Sequence, residues 1–140
     1  MGAAFVSFVC CVWLFIRSHD TRLPLPEAED VRSIEASFYD REKHEKIEFE
    51  VPREHWSLIL SALLPARKDD SPKKWAGLGR LNFKLANGDS YLVSMYRLNH
   101  ETGAFSAGPT IENRIYYRGG NSRDLEKALA EAFEASERNN

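Results

Sequence analysis

Cysteine is almost missing from this chain: Cys10 and Cys11 are its only two thiols, they are adjacent, and both lie inside an apolar run. That placement excludes an intradomain disulfide framework and leaves the remainder without a thiolate to hold a metal or act as a nucleophile. An excess of positive charge is missing as well. Nineteen Lys and Arg stand against 21 Asp and Glu, for a formal charge of −2, whereas a dedicated nucleic-acid binder needs concentrated cations to neutralise phosphates. Low-complexity tracts and internal repeats are also lacking. With 43% apolar and 11% aromatic residues over 140 positions, the chain has the material for one globular core, and a wholly disordered reading is excluded.

Only one long apolar run exists. Met1 to Ile16 contains no charged side chain, and sixteen helical residues reach about 24 Å against a hydrocarbon thickness of about 30 Å. The span is marginal and relies on snorkelling by Arg17. A cleaved signal peptide fits less well, because no Lys or Arg precedes the run and no small-x-small site follows it. Residues 1–17 are therefore expected to form an N-terminal membrane anchor. Arg17 and Arg22 on its C-terminal side favour a cytoplasmic domain by the positive-inside rule, a small bias partly offset by Asp20, so the side of the membrane stays open. Gly2 does not begin a myristoylation signal, since Val6 stands where Ser or Thr is required. Cys10 and Cys11 are either S-acylation sites or small apolar fillers.

Residues 18–30 hold Pro24 and Pro26 and show no helical or strand period, which reads as a linker. A single domain is expected over residues 31–136, followed by a polar tail at residues 137–140. Within it, Ile34, Ala36 and Phe38 alternate with polar neighbours, as do Ile47, Phe49 and Val51, so two strands flank the turn Asp40 to His44 as a hairpin. Pro52 suits the first turn of a helix, and Trp56, Ile59, Leu60, Leu63 and Leu64 form an apolar stripe that Pro65 ends. After a loop from Arg67 to Gly79, Leu81, Phe83 and Leu85 alternate again. Asn87-Gly88 then turns the chain into a strand from Tyr91 to Leu98. Shorter strands are expected near Ala104–Ala107 and Ile111–Tyr117, and Leu125, Ala128, Leu129, Ala132 and Phe133 stripe a closing helix. The order β-β-α-β-β-β-β-α predicts an α+β fold, an antiparallel sheet of five to six strands with both helices on one face, preceded by the N-terminal apolar helix.

Assembled chemistry is scarce. The four histidines, His19, His44, His55 and His100, lack metal-ligand spacing, and Glu54-His55 has no second His to complete a zinc motif. No G-x-S-x-G elbow occurs. Glu48/Glu50 and Asp69/Asp70 sit where solvated carboxylates ordinarily go. No catalytic, metal or cofactor residue is assigned.

Two local features stand out. Arg118, Gly119, Gly120, Asn121, Ser122 and Arg123 join a strand to a helix N-terminus, where free backbone N–H groups and two arginines suit an anion. The plainer reading is a tight turn with φ > 0 at the glycines and a cap from Asn121 or Ser122. Trp75, among Lys73, Lys74 and glycines, and Phe105, between Gly103 and Gly108, are either interface anchors or lids on the core.

The expectation is a membrane-tethered, non-catalytic module that binds a protein, peptide or small ligand through its sheet or loops. The alternative is a small enzyme or sensor that takes an anion at the Arg118 to Ser122 junction.

Overall fold

The computed structural model describes residues 22–40, 42–69, 76–97, 102–110 and 114–140. They form an α+β fold with one seven-stranded, wholly antiparallel sheet and two α-helices. The strands are β1 (Val31–Asp40), β2 (Glu45–Glu50), β3 (Ala66–Lys68), β4 (Ala76–Leu85), β5 (Ser90–Arg97), β6 (Gly103–Gly108) and β7 (Ile115–Gly119); the helices are α1 (Trp56–Leu63) and α2 (Ser122–Arg138). Their order across the sheet is β2-β1-β4-β5-β6-β7-β3.

Local chemistry explains two of the turns and the start of α1. The β1–β2 hairpin is tied by Asp40, whose Oδ1 accepts from the backbone N–H groups of Glu42 and Lys43, with His44 in the left-handed region at φ 55°. Asn87 and Gly88 turn β4 into β5 as expected, Gly88 taking φ 91°. Trp56 anchors the start of α1 by donating from Nε1 to the Val51 carbonyl at 3.0 Å. From α1 the chain reaches β3 at the edge opposite β2, and the meander β4 to β7 then refills the sheet from β1 outward until β7 pairs with β3.

Register sorts the side chains. Residues paired across strands share a face, so Ala36 opposite Phe49 and Leu81, Leu81 opposite Val93, and Val93 opposite Ala107 make one apolar row. Ile34 with Phe83, and Met95 with Phe105 and Tyr117, make neighbouring rows on the same face. Trp56, Ile59 and Leu63 of α1 and Leu125, Ala128, Leu129 and Ala132 of α2 complete this core. Phe133 stacks edge-on against Phe49, its ring 5.4 Å away.

Several expectations change. A seventh strand, β3, lies where a continuous loop was expected from Arg67; three residues are too few to show a period. Leu64 leaves the α1 stripe, because its backbone has already turned extended (ψ 153°) and its side chain is 43% exposed. The second half of the expected linker packs on the domain: Leu23 is buried, its N–H donates to the Ala66 carbonyl at 2.9 Å, and the Tyr91 hydroxyl donates to the Pro24 carbonyl at 2.6 Å. Helix α2 continues to Arg138, through the start of the expected tail. The apolar run Met1 to Ile16 lies outside the described residues. Among the described residues, no helix is long and apolar enough to cross a membrane.

Candidate functional site

At the strand-to-helix junction three backbone donors, those of Gly120, Asn121 and Asp124, are engaged within the fold. The Gly120 N–H donates to the Pro65 carbonyl and the Asn121 N–H to the Ala62 carbonyl, both at 2.8 Å. Asn121 is the N-cap of α2, its Oδ1 accepting from the Asp124 N–H at 3.0 Å. Both glycines are in the left-handed region, Gly119 at φ 142° and Gly120 at φ 64°. A Cβ on Gly119 would stand 2.1 Å from the Pro65 oxygen, and one on Gly120 would stand 2.4 Å from the Ala62 oxygen. The glycines are thus required for the close crossing of β7 over the end of α1. Ser122 is buried.

The two arginines of this segment do not converge on the junction. Arg118 follows Tyr117, which faces the core, so its side chain lies on the sheet face away from the helices. There it pairs with Asp69 at 2.8 Å. Arg123 is exposed in the first turn of α2, on the other side of the sheet. A helix terminus attracts anions through unspent N–H groups, and the Gly120, Asn121 and Asp124 donors here serve the fold.

Phe105 is fully buried between Met95 and Tyr117, so of its two readings the structure selects core. Trp75 lies outside the described residues. Among the described residues no group of three or more His, Cys, Asp or Glu could hold a metal ion.

What sequence reasoning passed over is the second face of the sheet. Register places Glu48, Ser37, Arg80, Ser94, Ser106 and Tyr116 in one polar row running across β2, β1, β4, β5, β6 and β7. Of the flanking rows, one runs from Glu50, Glu35 and Asn82 to Leu92 and Gly108, and the other holds Tyr96, the buried Ala104 and Arg118. The Tyr96 hydroxyl and the Ser106 Oγ share a hydrogen bond of 3.2 Å. Neither helix packs on this face among the described residues, because the strand side chains in the core cluster all point the other way.

The β2-β1-β4 part of this face is a depression of about 480 Å³ lined by Glu35, Ser37, Glu48, Glu50, Arg80 and Asn82. Glu35 accepts from Lys84 at 2.8 Å. That hydrogen bond, then the carboxylate's charge, holds the Lys84 ammonium above its usual range. Lys46 and Glu48 form a second ion pair. Glu50 stands directly opposite Glu35 in the register, a like-charge pairing that costs stability. Asn82 Oδ1 is buried and has no hydrogen-bond partner, although a buried acceptor ordinarily finds one. Arg80, Asn82 and Lys84 are visible in the sequence as the polar partners of Leu81, Phe83 and Leu85. Alternation alone marks them as the outward face, and only register brings them beside Ser37 and Glu35.

Comparison of the chain with protein-family models, with curated proteins and with solved structures gives no match.

Proposed function

We propose that this protein is a membrane-tethered, non-catalytic binding module whose polar sheet face, centred on the depression over β2, β1 and β4, receives the ligand. The observation that carries the reading is Asn82 Oδ1, a buried acceptor without a partner in the wall of that depression. An unsatisfied buried acceptor costs about 1–3 kcal/mol, and a ligand donor that draws the Asn82 side chain outward to meet it recovers part of that. Glutamates and an arginine lie side by side in the same depression, which suits a polar segment carrying both signs of charge, such as a stretch of peptide. The tether is the apolar run Met1 to Ile16.

The test is NMR of the isotopically labelled full chain in lipid nanodiscs, titrated with a panel of short charged peptides and, separately, inorganic phosphate. Peptide-induced shifts clustered at Ser37, Arg80, Asn82 and Ser94, and abolished by Asn82→Leu, are expected. Shifts confined to Gly119–Ser122 with phosphate would instead support an anion site, and no shifts with any probe at millimolar concentration would sink the sheet-face reading.

A further inference from the structure

The charges around the depression over β2, β1 and β4 do not all close on one another. Three carboxylates and three cations meet on this part of the sheet: Glu35, Glu48 and Glu50 with Lys46, Arg80 and Lys84. Lys84 pairs with Glu35, and Lys46 pairs with Glu48. Arg80 and Glu50 are left over. Both are exposed, and neither joins an ion pair among the described residues.

Register keeps these two apart. Arg80 stands opposite Ser37 of β1, and Glu50 stands opposite Glu35 of the same strand. Strand β1 therefore lies between them, and their places along it differ by two residues. Two strand spacings of about 4.8 Å and a two-residue step of about 6.8 Å set the two positions about 12 Å apart on the sheet. An ion pair needs about 4 Å or less, so side chains standing off the sheet leave two opposite charges facing each other across a gap.

The ends of the gap differ in chemistry. Ser37 and Ser94 flank Arg80 on the neighbouring strands. A guanidinium presents parallel N–H donors to a carboxylate, and hydroxyls beside it add to the donor set. At the other end, Glu50 stands beside Glu35, and a cation brought there lowers the repulsion between the two carboxylates.

We propose that the depression takes a dipeptide with both ends free, its carboxylate on Arg80 and its ammonium on Glu50. The inference rests on the reading of this face as the binding site and names the class of ligand. Length selects it. An ion contact of about 3 Å at each end leaves about 6 Å between the charges of the ligand itself, and two extended residues span about 7 Å. A single amino acid reaches about half of that. The charges of a dipeptide are fixed to its backbone, whereas those on the side chains of a longer peptide ride on rotatable stems that cost entropy to hold. The volume of about 480 Å³ is within the range of small-ligand sites, about 300–1,000 Å³.

The test is NMR titration of the labelled full chain in lipid nanodiscs, as wild type, Arg80→Gln and Glu50→Gln. The probes are alanyl-alanine, its N-acetyl and C-amide derivatives, free alanine, and an end-blocked peptide with Lys and Glu two residues apart. Amide dispersion checks the fold of each variant. With wild type, alanyl-alanine is expected to shift Ser37, Arg80 and Asn82, and each blocked derivative to bind about tenfold more weakly, the loss of one charge-assisted contact. Free alanine, too short to reach both ends, should lose at least as much. Arg80→Gln should lose the preference for a free carboxyl end and keep that for a free amine, and Glu50→Gln should do the reverse. Blocked derivatives that bind as tightly as the free dipeptide overturn the inference, and so do variants that lose both preferences alike. If the end-blocked peptide shifts these amides and the dipeptide does not, the ligand class falls and the binding face stands. No shift with any of these probes at millimolar concentration overturns both.

Discussion

Glycine-to-alanine substitutions at four positions separate the two roles that a glycine can play here, backbone freedom and close approach. Gly77 has open space where a Cβ would stand and an ordinary φ, so Gly77→Ala is expected to be neutral or to stabilise by up to about 1 kcal/mol through the unfolded chain. Gly88 also has open space but takes φ 91°, and its substitution is expected to cost about 1–2 kcal/mol for the left-handed backbone alone. Gly79 has an ordinary φ, but a Cβ would stand 2.2 Å from the Ser37 carbonyl oxygen; crowding of that kind costs about 1–3 kcal/mol. Gly120 combines both penalties, at φ 64° and 2.4 Å from the Ala62 oxygen, and Gly120→Ala is expected to cost about 2–5 kcal/mol. Typical domain stabilities are about 5–15 kcal/mol, so this last variant uses up much of the margin. Urea unfolding followed by circular dichroism gives the four differences from midpoint shifts at constant slope. The reasoning fails if Gly120→Ala costs no more than Gly88→Ala, because the close approach of β7 to the end of α1 would then contribute nothing.

Three further outcomes are expected. Asn121→Ala removes the N-cap of α2 and should lower stability by about 1 kcal/mol, read as a fall in Tm; a change in phosphate affinity with unchanged Tm would contradict the capping role. Phe105→Ala opens a cavity beneath β6 and should cost about 3–5 kcal/mol, so its effect appears in the unfolding midpoint rather than as a selective loss of a partner by a stable protein. Burial raises the Tyr91 hydroxyl well above its ordinary value near 10, with a smaller contribution from Tyr117. The folded state then keeps a proton that the unfolded chain releases, so the stabilisation is complete below about pH 10 and is lost as pH rises beyond it. Tyr91→Phe should flatten the alkaline limb of the stability profile. It should also lose about 1 kcal/mol at neutral pH with the hydrogen bond to Pro24.

Much of this architecture is legible in the sequence because it rests on period and on turn chemistry. Ile34 to Phe38, Leu81 to Leu85 and the Asn87-Gly88 turn mark strands and a hairpin whose pairing follows from short connections. The stripe from Leu125 to Phe133 marks α2 for the same reason. The elements that escaped are those held by non-local partners. Three residues of β3 carry no period and become a strand only because β7 offers them a ladder, and Leu23 is fixed by the Ala66 carbonyl. At the junction, Gly119 and Gly120 are legible as positive-φ positions, but the engagement of the donors there depends on Pro65 and Ala62, far away in sequence. Sequence spacing can show a helix N-terminus, and it cannot show whether its donors are free. The polar sheet face is hidden for a related reason: alternation says that Ser37, Arg80 and Ser94 point outward, and register alone says that they stand in one row.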